Sequence, residues 1–181
     1  MSKYTLEDYW KFIETFPDHK YEYIDGDIRM MTGGSLAHAQ IEANIARIVG
    51  NGLIERECNV YGSDAIVQLS ENRCYYPDVS VSCDLADWIR KEMESPTLVV
   101  EVISPGSERI DRGEKLHAYQ QHPTMQEILL VDSRKRMVEH HHRTGPAKWE
   151  VCIYTQEDDT LELASLDVSL SVKDIYLKVR L

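Results

Sequence analysis

A single acidic residue interrupts the apolar segment at residues 98–103. Every residue of this segment other than Glu101 is apolar, which predicts a strand that is covered on both faces. An ionised carboxylate is costly to bury there unless it is paired, hydrogen-bonded or bound to a metal ion. The residues alone leave two interpretations open. Either Glu101 lies near the end of the strand and faces solvent or an arginine, or it is a buried ligand.

A second acidic residue, Asp78, follows Pro77 at the start of a strand with Val79 and Val81 in alternation. Pro77 has no backbone N–H, so the strand begins there or lies at a sheet edge. Asp78 by itself is equally compatible with a turn. The intervening chain is long enough for a strand, a short helix and a returning strand before Glu101. Because neighbouring strands lie about 4.8 Å apart, the two carboxylates could share one hard cation.

Three further polar residues have helical spacing after the Glu101 strand. Asp111, Lys115 and Tyr119 recur every four residues, so they share one face of a helix. A solvated helix with one Asp–Lys pair, worth about 0.3 kcal/mol, explains the pattern. The alternative is a position beside Glu101, since residues 104–106 turn the chain directly from the strand into this helix.

Two other runs of charged residues could bind ligands but have simpler explanations. His140 and His142 would share one face of a strand, as two metal ligands require, while His141 points away. A polar strand end close to Gly145 is the preferred interpretation of this run. Residues 134–136 are basic and predict a turn, with phosphate contact as the alternative.

Composition limits the class of protein. The chain has 181 residues, 43% of them hydrophobic, and its net charge is −11. These values predict a globular chain of one domain and argue against a disordered or low-complexity one. No run approaches the roughly 18–20 apolar residues of a membrane span, and the first residues lack the apolar segment of a secretory signal. We therefore expect a cytoplasmic protein without membrane contact, and any role with nucleic acid needs a local basic patch or bound cations.

The cysteines predict no metal site. Cys58, Cys74, Cys83 and Cys152 form no C-x-x-C pair, whereas structural zinc sites use closely spaced ligand pairs. We expect reduced, partly buried thiols.

The predicted elements alternate between helix and strand. A helix capped by Thr5 precedes a hairpin with an Asp25–Gly26 turn, and Ser35 caps a second helix. Strands are predicted at residues 60–63, 65–69, 75–82, 97–103, 127–131, 137–141 and 148–154, with a short helix at 84–91 and a longer one at about 107–120. Residues 161–181 predict a strand followed by a short helix. This order fits one α/β domain.

The ordered motifs are together more specific than any one of them. They are Y-E-Y-I-D-G-D-I from Tyr21, S-L-A-H from Ser35, Y-P-D-V-S-V from Tyr76, P-T-L-V-V-E-V-I-S-P-G-S-E-R from Pro96, D-R-G-E-K-L-H-A-Y from Asp111 and S-L-D-V-S-L-S-V-K-D-I-Y from Ser165. Over nearly the whole chain, this set resembles the Uma-type restriction-endonuclease-like proteins of the PD-(D/E)xK nuclease superfamily.

The resemblance implies a fold and its boundaries. The expected fold is α/β (α+β) with a mixed sheet, forming a single restriction-endonuclease-like domain over residues 1–181. Within it, an N-terminal helix and hairpin occupy residues 1–34, the nuclease-like core 35–155, and a C-terminal extension 156–181.

The resemblance also implies site residues. Asp78 and Glu101 would be the metal ligands, with a main-chain carbonyl near Val102, for Mg²⁺ or Mn²⁺. Ile103 occupies the position of the lysine that usually follows the acid by two residues, and Lys115 takes its catalytic role. The accessory residues are Glu22, His38, Asp111 and Tyr119, although His38 is equally explained as a hydrogen-bonded histidine facing the core.

The implied function is metal-dependent hydrolysis of nucleic-acid phosphodiester bonds, with DNA as the expected substrate. The alternative is a catalytically silent member of the fold that acts as a protein-interaction or regulatory module, which the acidic net charge favours. Cleavage of both strands of a duplex predicts a homodimer. Its contact would use the N-terminal apolar residues Trp10, Phe12, Tyr21 and Tyr23, which could equally be ordinary core.

Overall fold

Five helices and twelve strands lie within residues 3–181, the part of the chain that the computed structural model describes. The helices are α1 (Leu6–Thr15), α2 (Leu36–Gly52), α3 (Glu108–Ile110), α4 (Leu116–Gln121) and α5 (Val172–Ile175). The strands are β1 (Tyr21–Ile24), β2 (Asp27–Met30), β3 (Asn59–Gly62), β4 (Val67–Ser70), β5 (Arg73–Tyr75), β6 (Val79–Ser82), β7 (Pro96–Ile103), β8 (Glu127–Asp132), β9 (Val138–Gly145), β10 (Lys148–Tyr154), β11 (Thr160–Leu163) and β12 (Val168–Ser171). A 3-10 helix spans Leu85–Trp88, and a π-helical segment, Asp111–Lys115, joins α3 to α4.

The strands form three sheets. The largest has the order β10-β9-β8-β7-β6-β3, the second has the order β2-β1-β5-β4, and β11 pairs with β12. In the largest sheet only β7 and β8 are parallel, and the other pairs are antiparallel. The fold is therefore a mixed α/β architecture, as the sequence predicted.

Local signals explain how the first elements begin and turn. The Thr5 hydroxyl accepts a hydrogen bond from the Asp8 N–H, and the Ser35 hydroxyl accepts one from the His38 N–H, so both predicted caps are present. Asp25 and Gly26 have φ values of 50° and 91° in the β1–β2 turn. Positive φ at both positions is what a two-residue hairpin turn needs, and Asp-Gly supplies it.

Layers cover both faces of the largest sheet. Val100 and Val102 point to one face, where they pack with residues of α2, α5 and the β11–β12 hairpin. Val99 and Ile103 point to the other face, where they pack with Tyr119 of α4 and with residues of β1 and β5. The prediction that the Glu101 strand is covered on both faces is confirmed, and Glu101 shares the second face because side chains alternate along a strand.

Two predicted elements differ in the structure. The strand predicted over residues 75–82 is two strands, β5 and β6, which belong to different sheets. Pro77 lies between them, where its missing N–H ends the ladder. The C-terminal segment contains two strands before its helix, not one, since β11 and β12 form an antiparallel hairpin. The alternation of apolar and polar residues in such short strands did not show that the chain reverses direction between β11 and β12.

The expectation of reduced thiols is wrong for two of the four cysteines. Cys58 and Cys83 form a disulfide, while Cys74 and Cys152 are free. Asn59 pairs with Ser82 in the β3–β6 ladder, so the next residues outward, Cys58 and Cys83, lie opposite each other with their Cα atoms 4.0 Å apart. This proximity is a consequence of strand register between residues 25 positions apart, which spacing motifs do not report. Among residues 3–181, no helix combines the length and the apolar character that crossing a membrane requires.

Candidate functional site

Asp78 immediately precedes β6, and Glu101 lies on the neighbouring strand β7. Val79 pairs with Val100 in the antiparallel β6–β7 ladder. The charge of Asp78 contributes to raising the pKa of Glu101, so the two carboxylates are close in space. Asp78 Oδ2 also accepts a hydrogen bond from the Val102 N–H at 2.6 Å. The two acidic residues singled out in the sequence are therefore brought together.

Glu101 is only 4% exposed, so the interpretation that it faces solvent is wrong. The Tyr119 hydroxyl donates to Glu101 Oε1 at 2.5 Å, and the Lys115 ammonium donates to the same oxygen at 3.2 Å. No hydrogen bond from residues 3–181 reaches the second oxygen, Oε2. Burial raises the pKa of Glu101 well above its ordinary value, although the charge of Lys115 opposes this rise. Glu101 is a buried carboxylate with one oxygen left for another partner.

Lys115 is surrounded by carboxylates. Its Nζ lies 2.8 Å from Glu22 Oε1, 3.2 Å from Glu101 Oε1 and 3.7 Å from Asp111 Oδ1. Burial alone would lower the pKa of Lys115, but the charges of Glu101, Glu22 and Asp111 outweigh it and raise the pKa. Lys115 is therefore a permanent cation. The interpretation of a solvated Asp–Lys pair is wrong, because both side chains are buried.

The backbone that carries Lys115 and Asp111 is π-helical. The Asp111–Lys115 segment interrupts an otherwise α-helical stretch from α3 to α4. Single π-helical turns inside α-helices are frequent at functional sites. Tyr119 follows one turn later on α4, so the predicted helix face is the face that meets Glu101.

Glu22 enters the cluster from a separate sheet. It lies on β1, its Oε1 contacts Lys115, and the Tyr76 N–H donates to the same oxygen at 3.3 Å. The Lys115 ammonium also lies 5.5 Å from the centre of the Tyr75 ring. The N-terminal hairpin therefore contributes directly to the cluster around Lys115.

The buried charges of this cluster do not balance. Glu22, Glu101 and Asp111 are each less than 10% exposed, and Asp78 lies close to Glu101, while Lys115 is their one buried lysine partner within residues 3–181. Buried ionised groups need compensation by opposite charge. Burial raises the pKa of Asp111 as well. An oxygen-rich, electron-pair-donating cluster with excess negative charge fits a hard divalent cation.

Helix α2 adds two side chains at the outer side of Asp78. His38 Nε2 lies 2.9 Å from Asp78 Oδ1, and this hydrogen bond raises the pKa of His38 although burial opposes it. One ligand atom each from His38, Glu42 and Asp78 can be chosen so that all three lie within 4.8 Å of one another. Glu42 was not among the site residues expected from the sequence. Its signal was the four-residue spacing from His38 on a helix, which sets both on one face.

The other charged runs have structural partners. His140 and His141 are buried in β9, so the interpretation as a polar strand end is wrong. His140 contacts Glu127 at 2.5 Å. Residues 134–136 form the predicted exposed turn, and Arg134 pairs with Asp132 and Glu108.

Comparisons with known proteins place the chain in a family. The Uma2 family model, described as "Putative restriction endonuclease", matches residues 6–173. Two similar proteins of Synechocystis sp. are "Uncharacterized protein slr1290", 37% identical with 96% of this chain and 92% of that protein covered, and "Uncharacterized protein sll1609", 28% identical with 82% and 86% covered.

A solved structure shares the fold. It is the crystal structure of a "putative nuclease" from Anabaena variabilis, with a TM-score of 0.76 and 21% identity, and the match covers 95% of this chain and 97% of that one. At this identity the likeness concerns the fold alone. With the family model spanning nearly all of the chain, we conclude that the protein belongs to the Uma2 family of restriction-endonuclease-like proteins.

Proposed function

We propose that this protein is a divalent-metal-dependent endonuclease that hydrolyses phosphodiester bonds of DNA. The observation that carries the proposal is that Asp78 accepts a hydrogen bond from the Val102 N–H next to Glu101, while the Lys115 ammonium lies 3.2 Å from Glu101. Metal-assisted phosphodiester hydrolysis uses carboxylates that bind the cation and a positively charged side chain that stabilises the phosphate, and Asp78, Glu101 and Lys115 are groups of these kinds.

The residues that would hold the cation are Asp78, Glu101 and the main-chain carbonyl of Val102. The Val102 N–H faces Asp78, and the N–H and C=O of a hydrogen-bonded residue in an antiparallel pair point to the same side. Oxygen ligands of this kind suit Mg²⁺ or Mn²⁺. When bound, such a cation polarises a phosphoryl oxygen and activates water for attack.

Lys115 would stabilise the negative charge that develops on the phosphate. Its pKa is raised by the carboxylates around it, so it acts as a fixed positive charge and not as a proton acceptor. Ile103 occupies the strand position two residues after Glu101, and its apolar side chain cannot stabilise the charge of a phosphate. Lys115 reaches Glu101 from the following helix instead, which is consistent with its role as the replacement cation.

The accessory residues would orient these groups. Tyr119 holds Glu101 through Oε1, Glu22 and Asp111 hold the Lys115 ammonium, and His38 holds Asp78. Residues that orient ligands in this way are worth about 10–100-fold in metal affinity or activity. Each is a positioning residue in the proposal.

A catalytically silent protein-interaction module is the competing function. The net charge of −11 favours it, because a negatively charged chain repels a nucleic acid backbone at long range. Bound cations oppose this repulsion locally, so cleavage in the presence of metal separates the two functions.

The decisive experiment is a cleavage assay with Mg²⁺ and with Mn²⁺ on supercoiled plasmid, linear duplex and single-stranded DNA, with single-stranded RNA as a further substrate. Asp78→Asn and Glu101→Gln should each lose cleavage by about 10³-fold, as expected when a ligand of the catalytic cation is removed. The exposed Asp158→Asn is the matched control, since it removes one carboxylate far along the chain. Equal cleavage by Asp78→Asn and the wild type would identify a contaminating nuclease and overturn the proposal.

Lys115→Met tests the role of the cation. We expect cleavage to fall by about 10²–10³-fold, the range for removal of one charge-stabilising group, while Mn²⁺ binding persists in calorimetry. Circular dichroism must first show that the variant is folded, because removing Lys115 leaves three carboxylates without their partner. Cleavage near the wild-type rate would remove Lys115 from the mechanism.

We also propose a homodimer, because two sites are needed to cut both strands symmetrically. Tyr23 is 2% exposed and stacks on Tyr9 in the N-terminal core, so the contact would use Trp10, Phe12 and Tyr21 instead. A monomer in light scattering at assay concentration would contradict this prediction.

A further inference from the structure

We propose that His38, Glu42 and Asp78 form a second cation site, which prefers a borderline divalent ion such as Zn²⁺ and also accepts Mn²⁺. The site shares Asp78 with the proposed nuclease centre, gives His38 a role as a ligand beyond positioning Asp78, and adds Glu42 of α2, which the proposed reaction does not use. It rests on the proposed function only in requiring that Asp78 can bind a cation.

The ligand atoms of the three side chains lie close together on a helix and an adjacent segment. Within residues 3–181, these three residues are the group of histidine, cysteine and acidic side chains whose ligand atoms all lie within 4.8 Å of one another. His38 and Glu42 come from successive turns of α2, a regular helix of 17 residues. Two ligands one turn apart on a rigid helix, joined by a third from the segment just before a strand, form a preorganised site.

The His38 ring is confined beside Asp78. Its Nδ1 is buried without a hydrogen-bond partner, so the ring is fixed by packing and by its contact with Asp78 alone. A Cβ added at Gly34 would lie 2.7 Å from His38 Cγ. The glycine therefore permits a close approach of the backbone that confines the ring beside Asp78.

The site formed by His38, Glu42 and Asp78 is more open to solvent than the cluster around Lys115, and Lys115 does not neutralise its carboxylates. The side chains of His38 and Asp78 are 16% and 13% exposed, whereas those of Lys115 and Glu101 are 6% and 5% exposed. An ion can therefore reach the outer site from solvent, while the Lys115 ammonium already lies among the inner carboxylates. Lys115 contacts Glu22, Glu101 and Asp111 but forms no ion pair with Asp78, whose partner is His38, or with Glu42.

The ligand set indicates which ion binds. Imidazole suits zinc and the other borderline first-row ions, whereas magnesium prefers oxygen ligands and retains much of its water. The Asp78–Glu101 pair offers oxygen alone and the outer site offers one nitrogen. The two sites should therefore differ in selectivity although they share a carboxylate.

Pulsed electron paramagnetic resonance with Mn²⁺ as the probe tests the proposal on the intact chain. Imidazole coordination gives a ¹⁴N modulation of the Mn²⁺ echo, and carboxylate ligands do not. We expect the modulation in the wild type and in Glu101→Gln, and its loss in His38→Gln. The exposed His117 supplies the matched control His117→Gln, which should retain it.

Calorimetry with Mn²⁺ supplies a second measurement, on Glu42. Glu42→Gln should weaken one Mn²⁺ binding event by tenfold or more, about the loss expected when support of a metal site is removed, and the exposed Glu57→Gln should not. Zn²⁺ should compete with the ¹⁴N-coupled Mn²⁺, and Mg²⁺ should compete much less.

The results separate this site from the nuclease. Saturated wild type without ¹⁴N modulation, or modulation that persists in His38→Gln, would overturn the second site even if DNA is cleaved. Modulation that depends on His38, in a protein that cleaves no nucleic acid, would support the second site and overturn the proposed nuclease function.

Discussion

A buried carboxylate lies beside each end of strand β6, and the two carboxylates differ in their hydrogen bonds. At one end Asp78 lies close to Glu101, whose two hydrogen bonds both use Oε1. At the other end Ser82 donates to Asp87, which accepts two hydrogen bonds on each oxygen. The donors are the Ser82 hydroxyl, the Ser95 N–H, the Glu94 N–H and the Arg90 guanidinium.

The two carboxylates differ in how completely their oxygens are hydrogen-bonded. A buried carboxylate with both oxygens fully hydrogen-bonded is a stabilising hub, because its charge is distributed over fixed donors. Glu101 is buried to a similar degree, yet one oxygen lacks such donors and other carboxylates surround it. Burial alone therefore does not distinguish the two acids, whereas incomplete hydrogen bonding and an excess of like charge do, and these two features make Glu101 the candidate in our proposal.

The largest effect should come from the structural end. Asp87→Ala removes the acceptor of four hydrogen bonds, and we expect the free energy of unfolding to fall by about 4 kcal/mol. Urea denaturation measures this change, with the exposed Asp158→Ala as control. A loss below about 1 kcal/mol would show that Asp87 is not the hub described here.

The disulfide should stabilise the same end of β6. Cys58→Ala opens a loop closed between residues 25 positions apart, and we expect a loss of about 3 kcal/mol relative to the oxidised protein. The exposed Cys152→Ala provides the matched control. With dithiothreitol the difference should disappear, and a difference of the same size in the reduced proteins would contradict the cross-link as its cause.

At the Asp78 end, a smaller effect is expected from the tyrosine that holds Glu101. Tyr119→Phe removes a hydrogen bond to a carboxylate and should cost about 2 kcal/mol of stability. Tyr75→Phe is the matched control, because the Tyr75 hydroxyl is buried without a partner. Equal losses in the two variants would indicate a packing effect and not the hydrogen bond to Glu101.

The smallest effect concerns pH in metal-free buffer. Burial raises the pKa of Glu101, so the folded state holds this proton more tightly than the unfolded state. Its stabilising contribution is then present below the ordinary carboxyl pKa and is lost as pH rises through the folded pKa. Relative to Glu101→Gln, the wild type should lose stability as pH rises above the ordinary carboxyl pKa, and Mn²⁺ should restore it. A relative gain over that range would contradict the raised pKa.

Much of the candidate site was visible in the sequence because its signals are local. Glu101 interrupts an apolar strand, Pro77 marks the start of the Asp78 strand, and Asp111, Lys115 and Tyr119 have helical spacing. Alternation and helical period depend on backbone geometry over a few residues, so they survive without tertiary context. The ordered motifs also indicated the family to which the chain belongs.

The disulfide and the Glu101 oxygen that accepts no hydrogen bond were out of reach of those signals, and the helical spacing of Glu42 from His38 did not by itself mark it as a site residue. Glu42 acquires meaning only when α2 packs so that His38 meets Asp78, and Cys58 meets Cys83 only through the β3–β6 register. By itself, the sequence determined the strand and helix faces and the residues they carry, since these follow from local backbone periods. Tertiary structure decided which faces meet and which carboxylates remain unbalanced, because strand register and burial arise from contacts between residues distant along the chain.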